Sequence, residues 1–311
     1  MEGEIMSFLN RLKKRPLGPS GFGFLATAEQ VTEGVDLTGK VVFITGVNSG
    51  LGQETMRVLS KRGAHIIGAA RTLDKATEAC AAVDGPTTPV ACELSDLSSV
   101  AACASTVRQS GQSIDVLVCN AGIMALPELQ QKDGVELQFM TNHLGHFLLV
   151  NKLLDSLAPG ARVVILSSGA HFAAPEKGIE FDNLSGERDY EGLKFYGQSK
   201  LANILFAKEL TRRYGDRLTA NALHPGIILT NLGRHMKGVL MMVMSLRLVT
   251  EFKSVEQGAA TTCYLAANPG AEGVSGKYYD NSNEAEPLPH ANDAAMASKL
   301  WEVSEQLVAG H

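Results

Sequence analysis

The feature that most constrains this chain is an alternation of short β-branched runs with helical stretches. Val41–Thr45 is the first predicted strand, followed by a glycine-bearing turn and the helical pattern Glu54–Arg62. His65–Ala70 reads as the next strand, Asp74–Ala82 as the next helix and Thr88–Cys92 as a third strand. Asp115–Cys119, Arg162–Leu166 and Leu218–Leu223 continue the series, with helical stretches of ten or more residues between them. Strand, helix, strand at this rhythm requires right-handed crossovers and a parallel sheet covered on both faces. No internal repeat and no second composition regime interrupts it. The expectation is a single α/β domain, a doubly wound parallel sheet with helices on both faces.

That domain is expected over residues 37–311, with 1–36 as an arm and linker. Pro16, Gly18, Pro19, Gly21 and Gly23 mark the linker. Before it, Ile5, Met6, Phe8, Leu9 and Leu12 form an apolar stripe beside Arg11, Lys13, Lys14 and Arg15. Glu2 and Glu4 argue against a transit peptide, and no small-residue cleavage site follows an apolar core. An arm lying on the domain surface is the simplest reading, and a peripheral membrane contact is the alternative. No stretch approaches the ~20 apolar residues of a membrane span. The 28 basic and 33 acidic residues leave a net charge of −5, which gives no electrostatic footprint for nucleic acid. The five cysteines are odd in number and lack C-x-x-C spacing, so reduced thiols in a reducing compartment are expected rather than a secreted protein. That compartment is the cytoplasm or an organelle interior. His143, His146, His171 and His224 have no spacing that gathers a metal, and no metal site is expected.

Gly46, Asn48, Ser49, Gly50, Leu51 and Gly52 follow the first strand directly and open a helix. Glycine there permits tight turning and lets backbone N–H groups approach a pyrophosphate at the positive helix end. The spacing is G-x-x-x-G-x-G, and its place after strand one points to a dinucleotide turn of the Rossmann type. The second strand ends Gly68-Ala69-Ala70-Arg71. An acid there would bind the 2′-hydroxyl of NAD, whereas an arginine accommodates the 2′-phosphate of NADP. The cofactor expected is therefore NADP(H).

Tyr196 and Lys200 stand four apart at the start of a long amphipathic helix, so phenol and ammonium share one face. A phenol of pKa ~10 needs roughly 4 kcal/mol of preferential phenolate stabilisation to act near pH 7, which a fixed cation in a dry site can supply. Ser167 and Ser168 sit at the C-terminal end of a buried-looking strand, where open α/β sheets bind ligands. Asn120, Ala121 and Gly122 end the preceding strand, and Asn142 lies within an apolar helix where an amide implies a hydrogen-bonding duty. Trp301, with Leu300, Val303 and Leu307, fits a C-terminal amphipathic helix packed on the core.

This set, with Pro225-Gly226, resembles the short-chain dehydrogenase/reductase family in residue type, order and element over roughly 36–306. Phe181-Asp182-Asn183-Leu184, Tyr196-Gly197-Gln198-Ser199-Lys200 and His224-Pro225-Gly226 are similar to its retinol-dehydrogenase-like branch. The lead-in Gly18–Gly23 and Thr27–Val31 is similar to plant members, among them an NADPH-dependent dehydrogenase associated with the chloroplast inner-envelope translocon, which adds a plastid to the expected locations. The resemblance implies Tyr196 as general acid or base and Lys200 as ribose ligand and tuner of the phenol. It implies Ser168 as holder of the substrate oxygen and Asn142 as holder of a water that links Lys200 to solvent. Glu93, Leu94, Asn120, Ala121 and Gly122 would line the adenosine side, with Pro225, Gly226, Ile228 and Thr230 around the nicotinamide amide.

Three departures stand out. Cys119 replaces the first asparagine of the family's N-N-A-G, Glu93 replaces an aspartate, and an extra segment, 169–195, separates Ser168 from Tyr196. That extra segment leaves monomer and homodimer both open. The methionine-rich run after Thr230 is expected to form a lid near 231–252, with Leu240 and Met244 in the substrate pocket beside His171. The activity implied is NADP(H)-dependent interconversion of an apolar alcohol and its aldehyde or ketone. An NADPH-binding regulatory subunit is one alternative, and an epimerase or dehydratase on the same fold is the other.

Overall fold

The structure is a computed structural model, described here for residues 16–228 and 252–311. Its centre is an eight-stranded sheet flanked by helices. In chain order the elements are α1 (Ala28–Val31), β1 (Val41–Thr45), α2 (Gly50–Lys61), β2 (His65–Ala70), α3 (Leu73–Ala81), β3 (Thr87–Ala91), α4 (Leu97–Gln109) and β4 (Ile114–Cys119). There follow α5 (Gly145–Leu153), β5 (Leu157–Leu166), α6 (Gly192–Tyr214), β6 (Leu218–His224), α7 (Ala260–Ala267), β7 (Tyr278–Asp280), β8 (Asn283–Glu284) and α8 (Ala294–Leu307). The spatial order is β8-β7-β6-β5-β4-β1-β2-β3, parallel throughout except for the β7–β8 pair. The strand order reverses between β1 and β4, and a crevice at such a switch point is where doubly wound sheets bind ligands.

Strand periodicity sends alternate side chains to opposite faces. Val42 and Ile44 of β1, Val116 and Val118 of β4, and Val164 and Leu166 of β5 join one core with α1, α2 and α7. Phe43, Leu117, Val163 and Ile165 join the other with α4, α5, α6 and α8. Trp301 of α8 closes that second core over Phe147 and Phe206, at ring separations of 5.0 and 5.9 Å.

The domain boundary expected at residue 37 lies too far along the chain. Thr27 caps α1 in a reciprocal capping box with Gln30, and Ala28 and Val31 are fully buried. Asn268 donates to the Val31 carbonyl at 2.7 Å, and Asn283 holds Ser20 and Phe22 through its amide. The glycine- and proline-rich lead-in is thus bonded to the far end of the chain. The arm before residue 16 and the segment 229–251 lie outside the described residues. With them lie three expected site residues, Thr230, Leu240 and Met244, and nearly all of the expected lid. Among the described residues no helix is long and apolar enough to cross a membrane.

Candidate active site

β1 delivers Thr45 to the turn, and Gly46 reverses the chain at φ +74°. Ser49 precedes α2 in an extended conformation and makes no side-chain cap bond. Asn48 and Ser49 are exposed there, so the positive end of a 12-residue helix faces outward beside them. The glycines are required by close packing as well as by turning. A Cβ on Gly52 would stand 2.2 Å from the Gly46 carbonyl oxygen and 2.5 Å from Asn120 Nδ2, and one on Gly46 would stand 2.9 Å from Ala121 Cβ. Leu51 and Ile228 meet at Gly258, which brings the Pro225–Ile228 segment against the start of α2.

The turn is tied to the end of β4. The Thr45 hydroxyl accepts the backbone N–H groups of Asn120 and Ala121 at 2.9 and 3.0 Å, and Asn120 Nδ2 donates to the Thr45 carbonyl at 2.8 Å. Gly122 leads past Asn142: a Cβ there would sit 3.0 Å from Asn142 Oδ1 and 3.5 Å from Lys200 Nζ. Asn142 occupies a π-turn, Met140–Leu144, rather than a regular helix. Such widened turns aim a side chain differently from the flanking α-helix. Its amide accepts from Ile123 N–H at 2.9 Å and donates to the Ile123 carbonyl and to Ser199 Oγ at 3.0 and 2.9 Å. Both amide protons are thereby committed to protein. The side chain holds the loop, and the water-holding duty expected of Asn142 does not fall to its N–H groups.

At the other wall, Ser168 lies two residues past the end of β5 and α6 presents Tyr196 and Lys200, each 4% exposed. Gly197 lets α6 approach this closely, because a Cβ there would meet Ala170 O at 2.6 Å. Ser167 Oγ donates to the Lys200 carbonyl at 2.7 Å, and Lys200 Nζ donates to the Leu166 carbonyl at 3.0 Å. The same ammonium lies 5.6 Å from the centre of the Tyr196 ring. Burial pushes the phenol up to about 12, opposed by its hydrogen bond with Ser168, and pushes Lys200 down to about 8. Ser168, Tyr196 and Lys200 therefore form one cluster beside Gly122 and Asn142.

Arg71 is exposed one residue beyond β2 and forms no ion pair among the described residues. Leu94 is buried, and Glu93 folds its carboxylate back to accept Ser95 N–H and Oγ–H at 3.1 and 2.9 Å. The extra methylene of Glu93 relative to aspartate thus ends in a local turn contact. Cys119 is buried at the end of β4, and burial raises its thiol well above the usual range. Gly226, at φ +94°, abuts the Lys253 side chain, and Ile227–Ile228 pair in parallel with Phe252–Lys253.

His171 does not line the pocket, contrary to expectation. It is fully buried, its Nδ1 donates to the Ser168 carbonyl at 2.6 Å and its Nε2 accepts Leu288 N–H at 3.0 Å. It anchors Ser168 from behind. Two supports were not legible in the sequence. His224 Nδ1 accepts Gly169 N–H at 2.9 Å, and Ser199 Oγ donates to the Tyr196 carbonyl at 2.7 Å. His224 reaches Gly169 across 55 residues, whereas Ser199 bonds back one turn within α6 and the fold adds Asn142 as its donor. Among the described residues, no three of His, Cys, Asp and Glu gather to hold a metal.

Comparison with known proteins fits this geometry. The short chain dehydrogenase family model matches residues 40–238. Short-chain dehydrogenase TIC 32 B, chloroplastic, of Brassica napus is 42% identical over 94% of this chain and 95% of its own length. Retinol dehydrogenase 14 of Homo sapiens is 43% identical over 87% and 86%. The crystal structure of an uncharacterised Mycobacterium paratuberculosis protein superposes with a TM-score of 0.73 at 35% identity, covering 89% of this chain and 96% of that one. With the family model spanning most of the sheet and the relatives aligning almost end to end, the chain belongs to the short-chain dehydrogenase family, oxidoreductases that work with nicotinamide cofactors.

Proposed function

We propose that the chain is an NADP(H)-dependent oxidoreductase that interconverts an apolar alcohol and its aldehyde or ketone. The observation that carries this reading is the convergence of the Ser168 hydroxyl, the Tyr196 phenol and the Lys200 ammonium at the C-terminal end of β5. A regulatory subunit that only sensed the dinucleotide would have no use for this proton-transfer set.

The residues present fit such a cofactor. The uncapped N-terminus of α2 suits a pyrophosphate. Lys200 Nζ, beside Gly122, suits the ribose hydroxyls. Arg71 suits a 2′-phosphate, since no acid ends β2. The adenine-side contact implied for Glu93 is weakened by its commitment to Ser95. When bound, the nicotinamide supplies the hydride in reduction and takes it up in oxidation.

The chain's own part is proton transfer and orientation. Ser168 donates a hydrogen bond to the carbonyl oxygen of the substrate, and Tyr196 gives its proton to that oxygen as negative charge develops. A phenol held at about 12 keeps its proton at neutral pH, which suits the acid required for reduction. Lys200 places a positive charge beside the resulting phenolate. In oxidation the phenolate is the base. The apolar substrate class draws on the retinol dehydrogenase relative and on the methionine-rich sequence of 236–244, where Leu240 and Met244 would face the ligand.

The test is NADPH consumption by purified protein over a panel of aldehydes of increasing size. Stoichiometric oxidation of NADPH with alcohol formation is expected. Binding without turnover would favour the regulatory alternative, and product formed with no net cofactor consumption would favour an epimerase or dehydratase.

A further inference from the structure

We infer that His146 is a positioning residue that locks the dinucleotide turn to the helix bearing Tyr196, as a neutral imidazole protonated on Nδ1. His146 is 1% exposed and adds a direct side-chain bridge between two parts of the site that the 120–123 loop also connects. Its Nε2 lies 2.9 Å from the Thr45 hydroxyl, and its Nδ1 lies 3.0 Å from the Asn142 carbonyl.

Proton accounting fixes the roles. The Thr45 hydroxyl has one proton and two lone pairs, and the lone pairs accept the N–H groups of Asn120 and Ala121. The hydroxyl proton therefore goes outward. His146 Nε2 at 2.9 Å is a nearer acceptor than the Val118 carbonyl at 3.4 Å. Nε2 can accept only if it carries no proton. The carbonyl of Asn142 can only accept, so Nδ1 must carry one. A single tautomer satisfies both ends, and an imidazolium would turn a second donor onto an oxygen whose lone pairs are already used. Burial keeps the ring neutral in the same sense, pushing it down to about 4.

The bridge completes a hydrogen-bond chain. It runs from Asn120 and Ala121 through Thr45 to His146, then to Asn142, Ser199 and the Tyr196 carbonyl. Thr45 immediately precedes Gly46, and Asn142 carries the loop at Ile123. Displacing the ring would remove the direct tie between Thr45 and Asn142 and leave the 120–123 loop to couple the phosphate end to the proton-transfer end. The sequence offers no sign of this, since a histidine on an apolar helix face reads as core.

The inference rests on dinucleotide binding, and its first readout needs neither cofactor nor turnover. Long-range 1H–15N NMR on the full chain should show His146 neutral with the proton on Nδ1 at about pH 7; a proton on Nε2, or on both nitrogens, overturns the assignment. The second readout is the NADPH dissociation constant of His146→Phe and His146→Gln, with kcat and a thermal melt alongside. His146→Phe should weaken NADPH binding about tenfold and lower kcat, the order expected when buried hydrogen-bonding groups lose a partner. His146→Gln should recover part of both. A folded His146→Phe with a lower Tm but binding and kcat within about twofold of wild type would show a purely structural role and refute the proposal. If that variant does not fold, the glutamine variant and the tautomer decide. A wild-type chain that binds no NADPH would sink the proposed function while leaving the tautomer readable.

Discussion

Replacing Gly52 by alanine sets two opposed effects against each other, and the structure says which wins. In an ordinary helix interior, alanine is better than glycine by about 1 kcal/mol. At this position in α2 the added methyl would stand 2.2 Å from the Gly46 carbonyl oxygen, 2.8 Å from its carbon and 2.5 Å from Asn120 Nδ2. An ordinary non-bonded contact is about 3.5 Å, so the overlap exceeds about 1 Å. Neither neighbour swings aside. The carbonyl belongs to a turn held at φ +74°, and the Asn120 amide is committed to the Thr45 carbonyl. Relief requires the N-terminus of α2 to move away from β1, at an overpacking cost of about 1–3 kcal/mol that outweighs the propensity gain. Gly52→Ala should melt a few degrees lower and lose at least about tenfold in NADPH affinity, because the helix end displaced is the one proposed to face the phosphates. Differential scanning fluorimetry and a fluorescence titration with NADPH read both. A variant that melts higher than wild type and binds NADPH unchanged would refute the packing reasoning.

Tyr196→Phe should keep NADPH binding and abolish turnover, since the ring remains and the transferable proton is gone; a near-wild-type kcat would sink the mechanism. Arg71→Asp should erase or reverse the preference for NADPH over NADH. A charge-assisted phosphate contact is worth about 1.5–3 kcal/mol, roughly 10- to 150-fold in the ratio of kcat/KM values, and an unchanged ratio would mean that another base reads the phosphate. Carbonyl reduction needs Tyr196 protonated and Lys200 charged, and these groups sit at about 12 and about 8. Its rate should therefore be flat below about pH 8 and fall as Lys200 loses its proton above it, while alcohol oxidation, which needs the phenolate, climbs through the alkaline range. A reduction rate that rises across that same window would contradict the assignment.

The parts of the site that local pattern governs were legible before any coordinates. Glycine spacing after a first strand marks the turn, and a separation of four on a helix puts Tyr196 and Lys200 on one face. The parallel sheet with right-handed crossovers follows from the strand–helix rhythm, whereas the order of its strands is read from the structure. What pattern misses is anything decided by a distant backbone group. His171 reads as a pocket residue three positions after Ser168, yet the Leu288 N–H, 117 residues away, claims its second nitrogen. Glu93 is a local exception, because Ser95, two residues on, bonds one oxygen of the carboxylate expected at the adenine. Asn142 reads as mid-helix because a π-turn has no composition signal, and its commitment to Ile123 comes from the loop that follows β4. The lead-in reads as a linker because its prolines and glycines suit one, and the residues that bury Ala28 and Val31 come mostly from elsewhere in the chain.

That docking of the lead-in bears on how the chain is assembled. The charged side of α1 has early partners, since Glu29 pairs with Arg57 and Lys61 at 2.8 and 3.0 Å. Its apolar side waits for α7, and the Val31 and Ser20 backbone groups wait for Asn268 and Asn283, at separations of 237 and 263 residues. During synthesis from the N-terminus, almost the whole sheet emerges before this seat exists. Contacts of such separation form slowly, and until they form an apolar helix end stays uncovered. The earliest helix described here is therefore among the last to be fully seated, and a chain cut short ahead of Asn268 would leave Val31 without that anchor.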